Sequence, residues 1–199
     1  MMMGRPEGAS RMAGASGDHD KADRFRQVAL PYLDDVYTLA RYLLGNAVDA
    51  DDAVQECYLR AFRYFDTFRG GAIKPWLLAI LRNVCRAEQA RRAGVVVGIA
   101  ADDDRAEEAT REEAWREPAE AADAAIEREL DAATIRRLLD ELPAAFREVM
   151  VLREVNDLSY REIAEVVGSP IGTVMSRLAR GRALMRAAWL AAEKDETKS

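Results

Sequence analysis

Residues 159–182 read SYREIAEVVGSPIGTVMSRLARGR, and the fold class turns on this stretch. Ser159 followed by Glu162 is a capping box, in which each side chain satisfies an orphan N–H at a helix start. Ile163, Ala164 and Val167 form a short apolar face, and Gly168 stands where a helix ends in the left-handed region. Ser169 as N-cap and Pro170 as first helical residue predict a second helix almost at once. Two short helices joined by so tight a turn make a helix-turn-helix. In the second helix, Val174 and Leu178 are predicted to face the core, with Met175, Ser176, Ala179 and Arg180 on the outer flank. Arg177, Arg180, Arg182 and Arg186 make this helix basic. Arginines reach guanine edges or phosphates in a major groove, and short side chains permit close approach. The plainer alternative is a helical hairpin with solvated arginines; the tight turn favours DNA binding.

Outward from this motif, the periodicity predicts a C-terminal block over residues 126–193, with helices at 127–141, 144–155, 159–167 and 170–190 and a short tail at 194–199. Residues 93–125 change character: an apolar patch, Val95 to Ile99, leads into Asp102, Asp103, Asp104, Glu107, Glu108, Glu112 and Glu113. This is an expected flexible linker, and a solvated spacer is the plain reading of such an acidic run. A second helical block spans 22–92. A helix beginning near Asp49 places Val54, Tyr58, Ala61, Phe62 and Phe65 on one face, with Asp52, Glu56, Leu59 and Arg63 opposite. After a loop with Gly70 and Gly71, a helix over Ile73–Arg92 carries an apolar stripe of Trp76, Leu77, Ile80, Leu81 and Val84. Residues 1–21, rich in Gly, Ala and Ser without periodicity, are expected to be a disordered tail. No alternating strand pattern occurs, so the expected fold is all-α, with two small helical domains on an acidic linker.

The bulk chemistry narrows the function. With 49% hydrophobic and 32% charged residues, the chain has a normal globular balance and can bury a core. Cys57 and Cys85 lack CxxC partners and are expected to be reduced, buried thiols in a cytoplasmic protein. The one histidine, His19, lies in the tail, which removes histidine-based catalysis and metal binding from the folded blocks; no cofactor is expected, and no enzyme activity. No apolar run is long enough to span a bilayer, so no membrane insertion is expected, and the N-terminus does not resemble a secretory signal. The net charge of −6 hides a division. Residues 24–92 carry 11 basic and 8 acidic groups, residues 93–133 carry 4 and 13, and residues 134–199 carry 11 and 10. Screening confines charge effects to about 10 Å, so the two mildly basic blocks, and not the acidic total, are what a nucleic acid would meet.

At this point the residues match a family. LDELPAAFREVMVLREVNDLSYREIAEVVGSPIGTVMSRLARGR, residues 139–182, closely resembles promoter-binding region 4 of the extracytoplasmic-function sigma factors of bacterial RNA polymerase. DADDAVQECYLRAFRYFDTFR, 49–69, resembles their polymerase-binding region 2, and PWLLAILRNVCR, 75–86, the DNA-melting part that follows. The resemblance implies that Asp49, Asp52, Gln55, Glu56 and Leu59 grip the polymerase core. It implies minus-ten DNA contacts from Arg69, Lys74, Arg82, Asn83 and Arg86, with the loop Phe68–Lys74 holding a flipped base. It implies minus-thirty-five contacts from Thr173, Met175, Ser176, Arg177, Ala179 and Arg180. Of these, Arg180 and Ser176 are the expected base contacts, while Arg177 and Arg182 serve phosphates or structure. Met175 and the small Ala179 depart from the common pattern, which leaves the promoter sequence open. Trp76 opens an apolar stripe and is expected to pack in the core. The acidic linker is expected, by resemblance, to thread the basic cleft and RNA exit path of the polymerase.

The implied partners are core RNA polymerase, promoter DNA and an anti-sigma factor, with the chain a monomer when free or 1:1 with that factor, in a stress or envelope response. Two alternatives stand beside this: a sigma-like mimic that only sequesters an anti-sigma factor, and an ordinary helix-turn-helix regulator. The first usually carries a receiver domain, for which no βαβ pattern is present; the second leaves residues 49–86 unexplained.

Overall fold

The computed structural model describes residues 9–94 and 132–196, with side chains described within 19–94 and 134–191. All regular structure among them is helical. The N-terminal domain contains α1 (Ala9–Ala29), α2 (Leu33–Leu44), α3 (Ala47–Tyr64) and α4 (Ile73–Arg92). The C-terminal domain contains α5 (Ala132–Glu141), α6 (Ala144–Met150), α7 (Tyr160–Val167) and α8 (Ile171–Glu196). The acidic run and the Val95–Ile99 patch lie outside the described residues, as do residues 127–131 of the first expected C-terminal helix.

In the N-terminal domain, α2, α3 and α4 pack mutually through stripes at helical spacing. Val36 and Leu39 of α2, Ala50, Cys57 and Ala61 of α3, and Leu77, Leu78 and Leu81 of α4 are all fully buried. The small residues of α3 let the neighbouring helices approach closely. Burial pushes the Cys57 and Cys85 thiols up to about 12, so both remain protonated at neutral pH, as inert core groups. Trp76 is half-buried and packs against Phe68, with ring centroids 5.1 Å apart and planes tilted by 44°, in keeping with its place in the apolar stripe.

Residues 9–21 correct the expected tail, since they form the first half of α1. Alanine supplies helix propensity there. The anchor lies further on, where Phe25 meets the rings of Tyr58, Phe62 and Phe65 edge-on at 5.3–6.1 Å. The Tyr58 hydroxyl donates to the Ala29 carbonyl at 2.9 Å, fixing the end of α1 to α3.

The C-terminal domain follows its local code. Ser159 Oγ accepts the Glu162 N–H, and the Glu162 carboxylate accepts the Ser159 N–H at 2.8 Å, completing the capping box. Gly168 ends α7 at φ +66°, a conformation that a Cβ disfavours. The next helix opens one residue later than expected: Pro170 stands before α8, and its carbonyl accepts from Thr173 and Val174. Pro170 therefore takes the capping position assigned to Ser169, whose own N–H bonds back to Ala164 and closes the turn. Between α6 and α7 the chain makes one π-helical turn, Val151–Val155, and Asp157 takes a left-handed φ of 54°. Arg147 donates to the carbonyls of Leu139, Asp140 and Leu142, satisfying the open end of α5.

The two domains do not stand apart. Their buried side chains form one continuous cluster running from Phe25 to Leu178, with α4 lying on α7 and α2 touching α6 and the π-helical turn.

Candidate nucleic-acid interface

Helix α8 presents its first three turns around an inward stripe of Val174, Arg177, Leu178 and Gly181. The crossing with α6 is tight: a Cβ added at Gly181 would stand 2.8 Å from Met150 Cγ. Ser176, Ala179 and Arg180 project outward and are exposed, while Thr173 and Met175 are half-buried at the edge. The Ser176 hydroxyl donates to Thr173 O at 3.0 Å, leaving its lone pairs toward solvent. Arg177, expected to serve phosphates or structure, lies inward. It is only 8% exposed, because position 177 shares the inward stripe with 174, 178 and 181. Arg182 is held by Glu154 at 2.8 Å and 3.1 Å, which fixes α8 to the π-helical turn.

On α3, Asp52, Gln55 and Leu59 are exposed on successive turns, with Leu59 64% exposed. Val48, 72% exposed, begins the same line. The sequence reading missed it, although positions 48, 52, 55 and 59 share one face by the same helical spacing that found the rest. Asp49 and Glu56 stand beside this line in a cleft of roughly 340 Å³ that Glu88, Arg91 and Arg92 close from α4. These charges are mutually paired. Asp49 contacts Arg92 and Asn46, and Arg92 above all, then Asn46, lowers its carboxyl below the usual range. Arg60 holds Glu56 at 2.6 Å. Glu88 is drawn down to about 2, first by Arg91 and then by Arg92. Asp49 and Glu88 therefore stay ionised through the physiological range.

The residues expected at minus-ten DNA divide. Arg69, Asn83 and Arg86 are exposed, the first in the loop between α3 and α4 and the others on the outer side of α4. Lys74 pairs with Asp35 of α2 at 2.7 Å. Arg82, expected on the charged face of α4, is 7% exposed and gives Nε to Glu148 of α6 at 2.7 Å. Its burial has a tertiary cause: α7 and α6 cover a second side of α4, which widens the inward stripe beyond what one domain's periodicity predicts.

Comparison with known proteins gives consistent matches. The family model described as Sigma-70 region 2 matches residues 29–94, and that of Sigma-70 region 4 matches residues 132–185. The chain is 35% identical over 187 residues to ECF RNA polymerase sigma factor SigE of Mycolicibacterium smegmatis, covering 92% of this chain and 68% of that one. It is 33% identical over 166 residues to ECF RNA polymerase sigma factor EcfG of Rhodopseudomonas palustris, covering 83% and 84%. Among solved structures, the sigma factor RpoE of Bartonella quintana, in complex with the anti-sigma factor NepR, aligns with a TM-score of 0.61 at 27% identity. That alignment covers 82% of this chain and 95% of the other.

Proposed function

For this chain, which belongs to the extracytoplasmic-function sigma factors of RNA polymerase, we propose that α3 docks on the polymerase core and the start of α8 enters the minus-thirty-five element. The carrying observation is the pair of outward faces, Val48–Asp52–Gln55–Leu59 on α3 and Ser176–Ala179–Arg180 on α8. An exposed apolar residue among polar and charged side chains on a helix suits a partly apolar partner, with Leu59 as anchor and Asp52 as steering charge. Short side chains beside one exposed arginine suit a helix lying deep in the major groove. Arg69, Asn83 and Arg86 lie where α4 would meet the minus-ten strand, and the loop 68–74 suits a single base held against backbone. No catalytic step is assigned to the chain. Its site of action is the cytoplasm, where polymerase works, and no helix among the described residues is long and apolar enough to cross a membrane.

The two readers engage promoter elements together on the polymerase, so neither needs high affinity alone. Control by an anti-sigma factor follows the same logic, since a protein that covers either face disables both; the RpoE relative is seen with such a partner.

Run-off transcription with bacterial core polymerase, on a pool of promoters, tests this reading. The chain is expected to give specific start sites. Leu59→Asp is expected to lose core binding and all starts. Arg180→Ala is expected to keep core binding while promoter affinity falls by the worth of one base contact, about 1–3 kcal/mol. Core binding without any start would favour a sigma-like mimic, and no core binding would overturn the assignment of α3.

A further inference from the structure

The loop that joins α3 to α4 holds two adjacent glycines, Gly70 and Gly71, at φ +90° and +102°. A Cβ built at either would meet nothing within 4 Å, so the middle of the loop borders open space. Glycine loses more freedom on ordering than any other residue, so the order of this loop must come from its ends. Both ends are tied by ion pairs to helices that precede the loop. Upstream, Asp66 in the 3-10 turn Phe65–Thr67 meets the Lys21 ammonium of α1 at 2.5 Å. Downstream, Lys74 in the first turn of α4 meets Asp35 of α2 at 2.7 Å. We propose that Lys21–Asp66 and Asp35–Lys74 are paired clasps that set the span of loop 68–74, which makes Lys21 and Lys74 positioning residues for the minus-ten base and removes Lys74 from the direct DNA contacts.

Surface ion pairs ordinarily contribute little, because two long side chains must be immobilised. Here the lysines are already held. Lys21 lies over the Phe62 ring at 5.0 Å with its side chain 16% exposed, and the Lys74 side chain is 20% exposed. Phe62 meets Phe25, so the upstream clasp stands on the packed rings of α1 and α3. Between that clasp and the glycines the chain has little slack. Thr67 Oγ donates to the Tyr64 carbonyl at 2.6 Å, the Phe68 N–H donates to the Phe65 carbonyl at 3.0 Å, and the Phe68 ring packs against Trp76. A shift of Asp66 is thereby passed on to Phe68 and the glycines. A loop whose ends are preset has lost much of its freedom before a base arrives, which strengthens binding without a new contact. Asp35 is shared, since Asn156 of the C-terminal domain donates to its carboxylate at 3.3 Å. The downstream clasp is therefore best broken at Lys74.

The clasps act on DNA only through the loop, so their effect on promoters rests on the assignment of that loop proposed above, and two readouts keep the questions apart. In the free full-length chain, NMR order parameters of the Gly70 and Gly71 amides read the stiffness of the loop. In holoenzyme with bacterial core polymerase, a promoter found by run-off and carrying 2-aminopurine in its minus-ten element reads base extrusion. Lys21→Met is expected to lower the order parameters and to reduce extrusion by about tenfold, the loss when the binding-competent loop falls from nearly all of the population to a tenth. Core binding is expected to stay unchanged. Asp66→Asn, at an exposed position, is expected to match it, and carries the test should Lys21→Met fail to fold. Lys21→Arg keeps the charge and the ring contact and is expected to behave as wild type. Lys74→Met is expected to loosen the loop while leaving the salt dependence of promoter binding unchanged, because a lysine on a phosphate would take about one unit of that slope with it. Unchanged order parameters or unchanged extrusion in both Lys21→Met and Asp66→Asn would overturn the upstream clasp, and a salt slope lowered by about one in Lys74→Met would overturn the downstream one. Failure of the wild-type holoenzyme to start any transcript would instead overturn the function proposed above, while the order parameters would still decide whether the pairs hold the loop.

Discussion

Phe25 meets Tyr58, Phe62 and Phe65, residues far along the chain from it, and through them α1 is bound to α3. Ser159 and Glu162, three residues apart, start α7, and Gly168 stops it. The two domains thus store their structure at different ranges. The N-terminal domain depends on rings brought together from distant segments; the C-terminal domain depends on caps and glycines that act within a turn or two. Each solution suits its task. Region 2 must hold long helices rigidly enough to present a docking face, whereas region 4 must set one short helix at a fixed angle before another.

Three substitutions break or sharpen this contrast. Phe25→Ala removes the ring on which three others converge and is expected to cost about 3–5 kcal/mol. Chemical denaturation would measure the loss. Hydrogen exchange would show whether it stays within α1–α4 or spreads through the α4–α7 contact, in which case the domains unfold as one unit. Gly181→Ala forces Met150 aside where α8 crosses α6 and is expected to cost about 1–3 kcal/mol. Restoration of stability by Met150→Ala in the same chain would assign that cost to the crossing. Ser159→Ala removes one half of the capping box and is expected to cost about 1 kcal/mol, read as faster amide exchange in the first turn of α7. A larger loss at Ser159 than at Phe25 would reverse the comparison.

The same difference in range explains what the sequence disclosed. The helix-turn-helix was legible almost residue by residue, because its capping box and terminal glycine are local chemistry; the only slip was one position at Pro170. The span of α4 was legible from its apolar stripe. Helix α1 was not, because its stability comes from Phe25 reaching rings more than thirty positions away, and composition alone suggested a tail. Arg82 was misplaced for a related reason. A charged residue beside an apolar stripe is assigned outward by default, and only the packing shows the stripe to be wider. For Arg82 the deciding partner, Glu148, lies 66 residues on and in the other domain. Val48 was legible and overlooked, since it continues the line of Leu59 by simple spacing.

Helix α8 runs without a break for 26 residues, about 39 Å, and crosses α6 at Gly181. That crossing divides the helix into two arms. On one side, an arm of about 15 Å carries Ser176 and Arg180; on the other, an arm of about 22 Å carries Leu184 and Leu190, both exposed. Contacts with α5, α6 and α7 clamp the rod along its length, so the groove-reading end inherits its angle from the whole domain rather than from the turn that precedes it.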